Sequence, residues 1–283
     1  MNKRALYWKA LEGGRVACLL CGHHCVIEDG AAGRCGVRAN IRGALYASGY
    51  GKVSSLALDP IEKKPLLRFK RGSKILSVGG FGCNLRCGFC QNSSISLEYS
   101  GALEGAGRMS PEELVILAEG CVAQGNIGVA FTYNEPFTGY EFALEGAKAV
   151  KAAGLCCVLV TNGYVNREPL MEILPYIDAM NIDLKAFSEE FYRRVGGGLA
   201  AVKDTIATAS KRCHVEITTL VIPGENERDA GPIAEFIASV DENIPLHLTR
   251  FYPRYKYLDR PETPLEVLLA LKKTAQKHLK YVF

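Results

Sequence analysis

No stretch of this 283-residue sequence approaches the ~18 consecutive apolar residues of a membrane-spanning helix. The first residues, Met1-Asn-Lys-Arg-Ala-Leu-Tyr-Trp-Lys9, also lack the apolar core of a secretory signal, so no membrane role and a cytoplasmic location are expected. Net charge is small. The 34 Lys and Arg and 30 Asp and Glu leave +4, so a nucleic-acid partner is not expected, and Lys63-Lys64, Arg68-Lys70-Arg71 and Lys272-Lys273 read as solvated faces. Gly196-Gly-Gly198 lacks the strand–G-x-G-x-x-G–helix setting of a dinucleotide site and reads as a flexible loop. What is plentiful is cysteine. In a reducing compartment the eleven cysteines read as metal ligands or buried thiols rather than disulfides, and seven of them fall in two tight groups.

The first group is Cys18-x2-Cys21-x3-Cys25-x9-Cys35, with His23 and His24 inside it. Such short gaps in a Gly-rich stretch suit a compact metal loop. Tetrahedral zinc is the leading reading, a second iron–sulfur cluster and a loop of free thiols stay open, and a histidine is able to replace one Cys. The second group is Cys83-Asn-Leu-Arg-Cys87-Gly-Phe-Cys90. Its C-x3-C-x2-C spacing supplies three thiolates, whereas cubane clusters in electron carriers take four. One iron would then stay open to a substrate or cosubstrate, as a catalytic zinc keeps an open position. Three buried thiols, or zinc with a distant fourth ligand, is the alternative.

At 48% apolar and 23% charged residues, the chain is ordinary globular material, long enough for one α/β barrel of about 250 residues with a small appended module. Ala44 to Leu56 is rich in β-formers and Gly, Asp59-Pro-Ile-Glu-Lys-Lys-Pro65 reads as a charged connection, and a boundary is expected near residue 72. This divides the chain into a Cys-rich module with its β-rich connection, 1–72, and a core, 73–283. In the core, six β-rich runs alternate with helical patterns: Ile75–Gly79, Gly128–Thr132, Cys156–Thr161, Ala179–Asp183, His214–Val221 and Pro245–Phe251. Ser110-Pro-Glu-Glu113 predicts a capped helix start, with Leu114, Leu117, Ala118, Cys121 and Val122 on its packing face. Thr263-Pro-Leu-Glu266 predicts another such start, and Pro223-Gly224 a turn. The fold expected is α/β, a partial (β/α)6 barrel with its chemistry on the rim of strand C-termini.

Polar groups cluster on that rim. Thr132-Tyr-Asn-Glu-Pro136 follows the second strand and Thr161-Asn-Gly163 ends the third, while Asp183 and Lys185, two apart, share a face at the end of the fourth. Buried charges need partners, which a charged ligand would supply; a turn cap at Glu135 and a structural Asp183–Lys185 pair are the plainer alternatives. His247, Arg250 and Tyr252 on the sixth strand are expected to turn toward the same rim.

The cysteine triad resembles the signature of the radical S-adenosylmethionine (SAM) enzymes. Cys21-Gly-His-His-Cys25, Gly33-Arg-Cys-Gly-Val-Arg-Ala-Asn40, Asp59 to Pro65, Cys90-Gln-Asn92, Phe131 to Pro136, Thr161-Asn-Gly-Tyr164 and Asp183-Leu-Lys-Ala-Phe187 extend the likeness to nearly the whole chain. Together they resemble the glycyl-radical-enzyme activating branch, and within it the AmmeMemoRadiSam-system enzymes. The resemblance implies a [4Fe-4S] cluster on Cys83, Cys87 and Cys90, and SAM contacts drawn from Phe89, Asn134, Glu135, Thr161, Asp183, Lys185 and Arg250. It also implies reductive cleavage of SAM to a 5′-deoxyadenosyl radical, a flavodoxin- or ferredoxin-type electron donor, and a glycyl radical enzyme or a small molecule as substrate. Val160 stands where the pyruvate formate-lyase activator has an Asp that holds a monovalent cation, leaving Asp183 with Thr161 and Asn181 for that task. Gly22, Arg68 and Tyr252 also depart from the family pattern. Modification of a small molecule or RNA, and a non-catalytic iron–sulfur or zinc carrier, are the competing functions.

Overall fold

The computed structural model describes residues 3–283. Seven short strands form two three-stranded antiparallel sheets and one edge strand near the N-terminus: β1 (Lys3–Arg4), β2 (Trp8–Ala10), β3 (Val16–Cys18), β4 (Val26–Ile27), β5 (Arg38–Ile41), β6 (Ala44–Ala47) and β7 (Ser55–Pro60). The small sheets run β1-β6-β5 and β2-β3-β4. Six parallel strands then pair in chain order: β8 (Lys74–Gly79), β9 (Asn126–Phe131), β10 (Cys156–Thr161), β11 (Ala179–Asp183), β12 (His214–Val221) and β13 (Leu246–Arg250). With β7 added antiparallel to β8, they make a curled, seven-stranded half-barrel. The expected partial (β/α)6 barrel is therefore present.

Helices fill the crossovers: α1 (Ser93–Ser96), α2 (Ser100–Gly105), α3 (Pro111–Gly120), α4 (Tyr140–Ala152), α5 (Arg167–Ile173), α6 (Glu189–Val195), α7 (Leu199–Ala209), α8 (Ala230–Asp241) and, after β13, α9 (Leu265–Ala275). The capping box predicted for α3 is formed, with Ser110 and Glu113 exchanging side-chain and backbone hydrogen bonds. Its packing face is shorter than the periodicity suggested. The helix stops at Gly120 and a 3-10 turn follows, so Leu114 and Ala118 are buried while Leu117 and Val122 are exposed. Thr263 does not cap α9. It is buried, with Oγ1 donating to the Val221 carbonyl and accepting from the Phe251 amide, and it ties β12 to the chain after β13.

The segment read as a charged connection has two structural roles. Ser55–Pro60 is the antiparallel edge strand β7, and the chain beyond it folds under the half-barrel as a floor. There Ile61 and Leu66, both fully buried, pack with Ile75, Ala130 and Val158 from three strands. Each such side chain contributes about 1.5–3 kcal/mol. Polar groups lock the floor: Asn181 donates to the Pro65 carbonyl (2.9 Å), and the Glu216 carboxylate accepts from the Leu67 and Arg68 amides (3.0 and 2.7 Å). His247 belongs to this floor rather than to the rim. Its Nε2 meets Glu216 at 2.6 Å and its ring stacks on Phe283, because it lies at the start of β13.

Candidate active site

The inward faces of the strands set the site. Residues two apart on a strand share a face, so each strand presents one side chain to the floor and the next to the rim. The rim layer includes Thr132, Val160, Asp183, Thr218 and Thr249, which line a cavity of about 390 Å³. Cys83, Cys87 and Cys90, carried by the loop after β8, border the same cavity, so the structure brings the predicted triad to the predicted rim. Gly82 explains part of the loop's course. Its φ is +85°, and a Cβ there would stand 2.7 Å from the Cys35 carbonyl, so only glycine lets the two cysteine regions approach.

Hydrogen bonds hold the thiols in place. Cys83 Sγ accepts from the Leu85 amide (3.4 Å) and from Asn162 Nδ2 (3.6 Å). Asn162 also donates to Asn84 Oδ1 at 2.9 Å, and Asn84 donates to the Tyr164 carbonyl at 2.7 Å. Burial, then the charge of Glu135, pushes the Cys83 thiol up; burial pushes Cys87 up to about 11 against the pull of Lys185. Phe89 is buried beside the rings of Phe191 and Tyr257 and borders the cavity. Neither Asn84 nor Asn162 was singled out from the sequence. Their only local signal is a polar residue at a loop start, whereas their partners lie 78 to 80 positions away.

Glu135 is buried and caps the turn that follows it. It accepts from the Phe137 amide (3.0 Å), Thr161 Oγ1 (2.8 Å) and the Asn162 amide (2.8 Å). All three donors are neutral. Burial therefore dominates and, with the charge of Asp183, leaves the carboxyl at about 7 despite those bonds. Asp183 and Lys185 form a 2.8 Å ion pair inside the cavity. Burial lowers the Lys185 pKa, but the charges of Asp183 and a Cys87 thiolate outweigh it and hold the ammonium above its ordinary value.

Other expected contacts are partly committed elsewhere. Asn134 accepts from the Gly80 amide and donates to the Gly82 carbonyl, both at 2.9 Å, so it shapes the cysteine loop. Arg250 reaches the cavity edge, yet its guanidinium donates to the Thr263 carbonyl and pairs with Glu262. Tyr252 is exposed at 45% and meets Arg250. For the monovalent cation, Thr161 is engaged by Glu135, Asn181 by Pro65 and Thr218, Asp183 by Lys185, and Val160 offers no ligand, so every residue of that set has another partner or no ligand to give.

Three soft thiol donors, one of them accepting two N–H groups, fit a three-thiolate iron–sulfur cluster. A family model described as the radical SAM superfamily matches residues 77–237, more than half of the chain. This chain belongs to the radical SAM superfamily. An uncharacterized protein of Methanocaldococcus jannaschii is 40% identical over 99% of this chain and 84% of its own length. Pyruvate formate-lyase 1-activating enzyme of Escherichia coli K12 is 28% identical over 52% of this chain and 61% of its own, placing the chain with the activating-enzyme-like branch of the radical SAM superfamily. Among solved structures, Streptococcus suis SuiB superposes with a TM-score of 0.56 at 12% identity over 73% of this chain and 47% of that one, a likeness of fold. Radical SAM membership implies a [4Fe-4S] cluster and SAM, and the residues at the rim fit both. Among the described residues, no helix is long and apolar enough to cross a membrane.

Proposed function

We propose that this radical SAM protein cleaves SAM reductively in the cytoplasm and directs the resulting radical to a glycine of a protein partner. The observation that carries the reading is the joint placement of Cys83, Cys87 and Cys90 with the Asp183–Lys185 pair and the incompletely satisfied Glu135 around one cavity. Cys83, Cys87 and Cys90 would hold a [4Fe-4S] cluster, which in its reduced form would supply the one electron needed to cleave SAM to methionine and a 5′-deoxyadenosyl radical able to take a hydrogen atom from the target.

The chain's own residues bind, orient and shield. Glu135 has three donors and room for a fourth, which the SAM ammonium fills as a charge-assisted hydrogen bond. Asp183 and Lys185 meet the remaining charges of the zwitterion, and Thr161 and Asn134 hold Glu135 and the cysteine loop in register. Phe89 offers an apolar ring to the adenine. Arg250 stands at the entrance. The Asn162 and Leu85 N–H groups on Cys83 tune the cluster through its sulfur. A zinc ion at the N-terminal cysteines takes no part in this chemistry.

Electrons come from a flavodoxin or ferredoxin. The protein-glycine target rests on the likeness to the pyruvate formate-lyase 1-activating enzyme. Anaerobic reconstitution with iron and sulfide, then dithionite and SAM, is expected to yield 5′-deoxyadenosine. Absence of that product from a chain with a verified four-iron cluster overturns the reading. Deuterium appearing in 5′-deoxyadenosine from a glycine-labelled partner would establish the target class.

A further inference from the structure

The N-terminal cysteines are untouched by the barrel chemistry, yet all four border one cavity of their own. Cys18 ends β3, Cys21 and Cys25 lie in the turn before β4, and the Cys18 amide donates to the Cys25 carbonyl at 2.9 Å. Cys35 comes from the loop before β5, and all four line one enclosed cavity of about 20 Å³. Its size is that of roughly one water-sized sphere. It suits a single ion. None of the four is in a disulfide.

The remaining lining points to an anionic occupant. Arg34 and Arg38 border the cavity, and no carboxylate does. Arg38 is 1% exposed; one terminal nitrogen pairs with Glu141 and the other donates to the Leu6 carbonyl. Its Nε, however, has no acceptor, one of two such buried side-chain atoms among the described residues. An orphaned buried N–H on a residue that lines the same cavity as four cysteines calls for an acceptor, and a thiolate is one. His23 is excluded as a ligand through Nε2, which is spent on the Asn84 carbonyl at 2.8 Å.

We propose that Cys18, Cys21, Cys25 and Cys35 hold one zinc ion as a closed four-thiolate centre, with Arg38 Nε donating to one of its sulfurs. Zinc with four thiolates carries two negative charges; no carboxylate lines the cavity, Arg34 borders it, and Arg38, whose charge Glu141 already meets, offers its Nε hydrogen. Among the described residues, no three Cys, His, Asp or Glu side chains already converge as a ligand set. The same is true of Cys83, Cys87 and Cys90, so the proposal requires the four N-terminal thiols to draw together around the ion. The centre braces the cysteine loop of the barrel, because His23 reaches Asn84 and Cys35 lies against Gly82.

The test is metal analysis and zinc-edge X-ray absorption on the full chain purified anaerobically. One zinc per chain with four sulfurs at about 2.3 Å is expected. That zinc should persist in the Cys83→Ala/Cys87→Ala/Cys90→Ala variant and vanish from Cys21→Ser/Cys25→Ser. A folded wild-type chain without zinc, or one whose triad variant still holds four irons, overturns the centre. Arg38→Lys keeps a charge opposite Glu141 but lacks Nε. It should lose zinc to a chelator about tenfold more readily, and an unchanged rate removes Arg38 from the proposal. If that variant does not fold, the zinc count and sulfur shell of the wild type still decide the site. Failure to make 5′-deoxyadenosine would leave the zinc count unaffected, so the two readings fail separately.

Discussion

Glu135 at the rim and Glu216 at the floor are buried carboxylates of one half-barrel, and their environments drive them in opposite directions. Burial raises both. At Glu216, hydrogen bonds from His214, His247 and the Arg68 amide overcome it and hold the carboxyl at about 2. At Glu135, three neutral donors do not, and Asp183 adds a like charge, so the carboxyl sits at about 7. A carboxylate has about four acceptor positions. Glu216 fills them with His214, His247, Leu67 and Arg68, whereas Glu135 fills three. Glu216 is complete as it stands; Glu135 has no cationic partner of its own, since Lys185 pairs with Asp183. Within one barrel, the fully satisfied charge holds the floor together, and the buried charge short of a partner is the one proposed above to meet a ligand.

That division of rim from floor is open to attack, first where the effect is greatest. Cys83→Ala, Cys87→Ala or Cys90→Ala should abolish 5′-deoxyadenosine formation while urea unfolding of the iron-free proteins stays near wild type. A large loss of stability in these iron-free chains would show that the rim is structural as well. Glu216→Ala should do the reverse, costing about 3–5 kcal/mol in urea by stranding two histidines and two amides. A change under about 1 kcal/mol there would make the floor network decorative.

Acid should expose the same network more gently. The folded pKa of Glu216 is depressed from 4.5 to about 2, so its contribution is fully present above pH 4.5 and is lost as pH falls toward 2. The shift corresponds to on the order of 3 kcal/mol. Stability measured from pH 5 to pH 2.5 should therefore fall more steeply in wild type than in Glu216→Gln, and parallel curves would refute the assignment.

Much of this architecture is legible in the sequence, and the exceptions share a cause. The six parallel strands show as β-branched runs, the start of α3 as a local capping pattern, and the triad as a spacing within eight residues. Alternation gives the face of a strand residue but not its height along the barrel, which is why His247 was expected at the rim and stands at the floor. Long-range partners leave no local trace either. Glu216 binds amides 148 and 149 positions away, and that pairing turns a charged, Pro-interrupted stretch into a floor. Asn84 and Asn162 were hidden for the same reason, and Thr263 carried a helix-start pattern that its bonds to Val221 and Phe251 override.

The finest test reverses the sign of a single isosteric change. Glu135→Gln keeps most of the hydrogen bonds but removes a charge whose folded pKa is raised from 4.5 to about 7. A raised carboxyl makes the folded chain bind more protons than the unfolded one between those values, so stability falls as pH rises from 4.5 to 7. At pH 8, Glu135→Gln should therefore be more stable than wild type by up to about 3 kcal/mol, less the cost of any hydrogen bond the amide loses, whereas Glu216→Gln should be less stable. Ligand binding should move the other way. An ammonium at the fourth acceptor position favours ionised Glu135, so SAM affinity of the wild type should rise from pH 6 to pH 8. The Gln variant should bind SAM about tenfold more weakly at pH 8, the size of one charge-assisted hydrogen bond, with a flat pH profile. Calorimetric titration of the cluster-bearing protein measures both, and equal affinities at pH 8 would return Glu135 to the role of a turn cap.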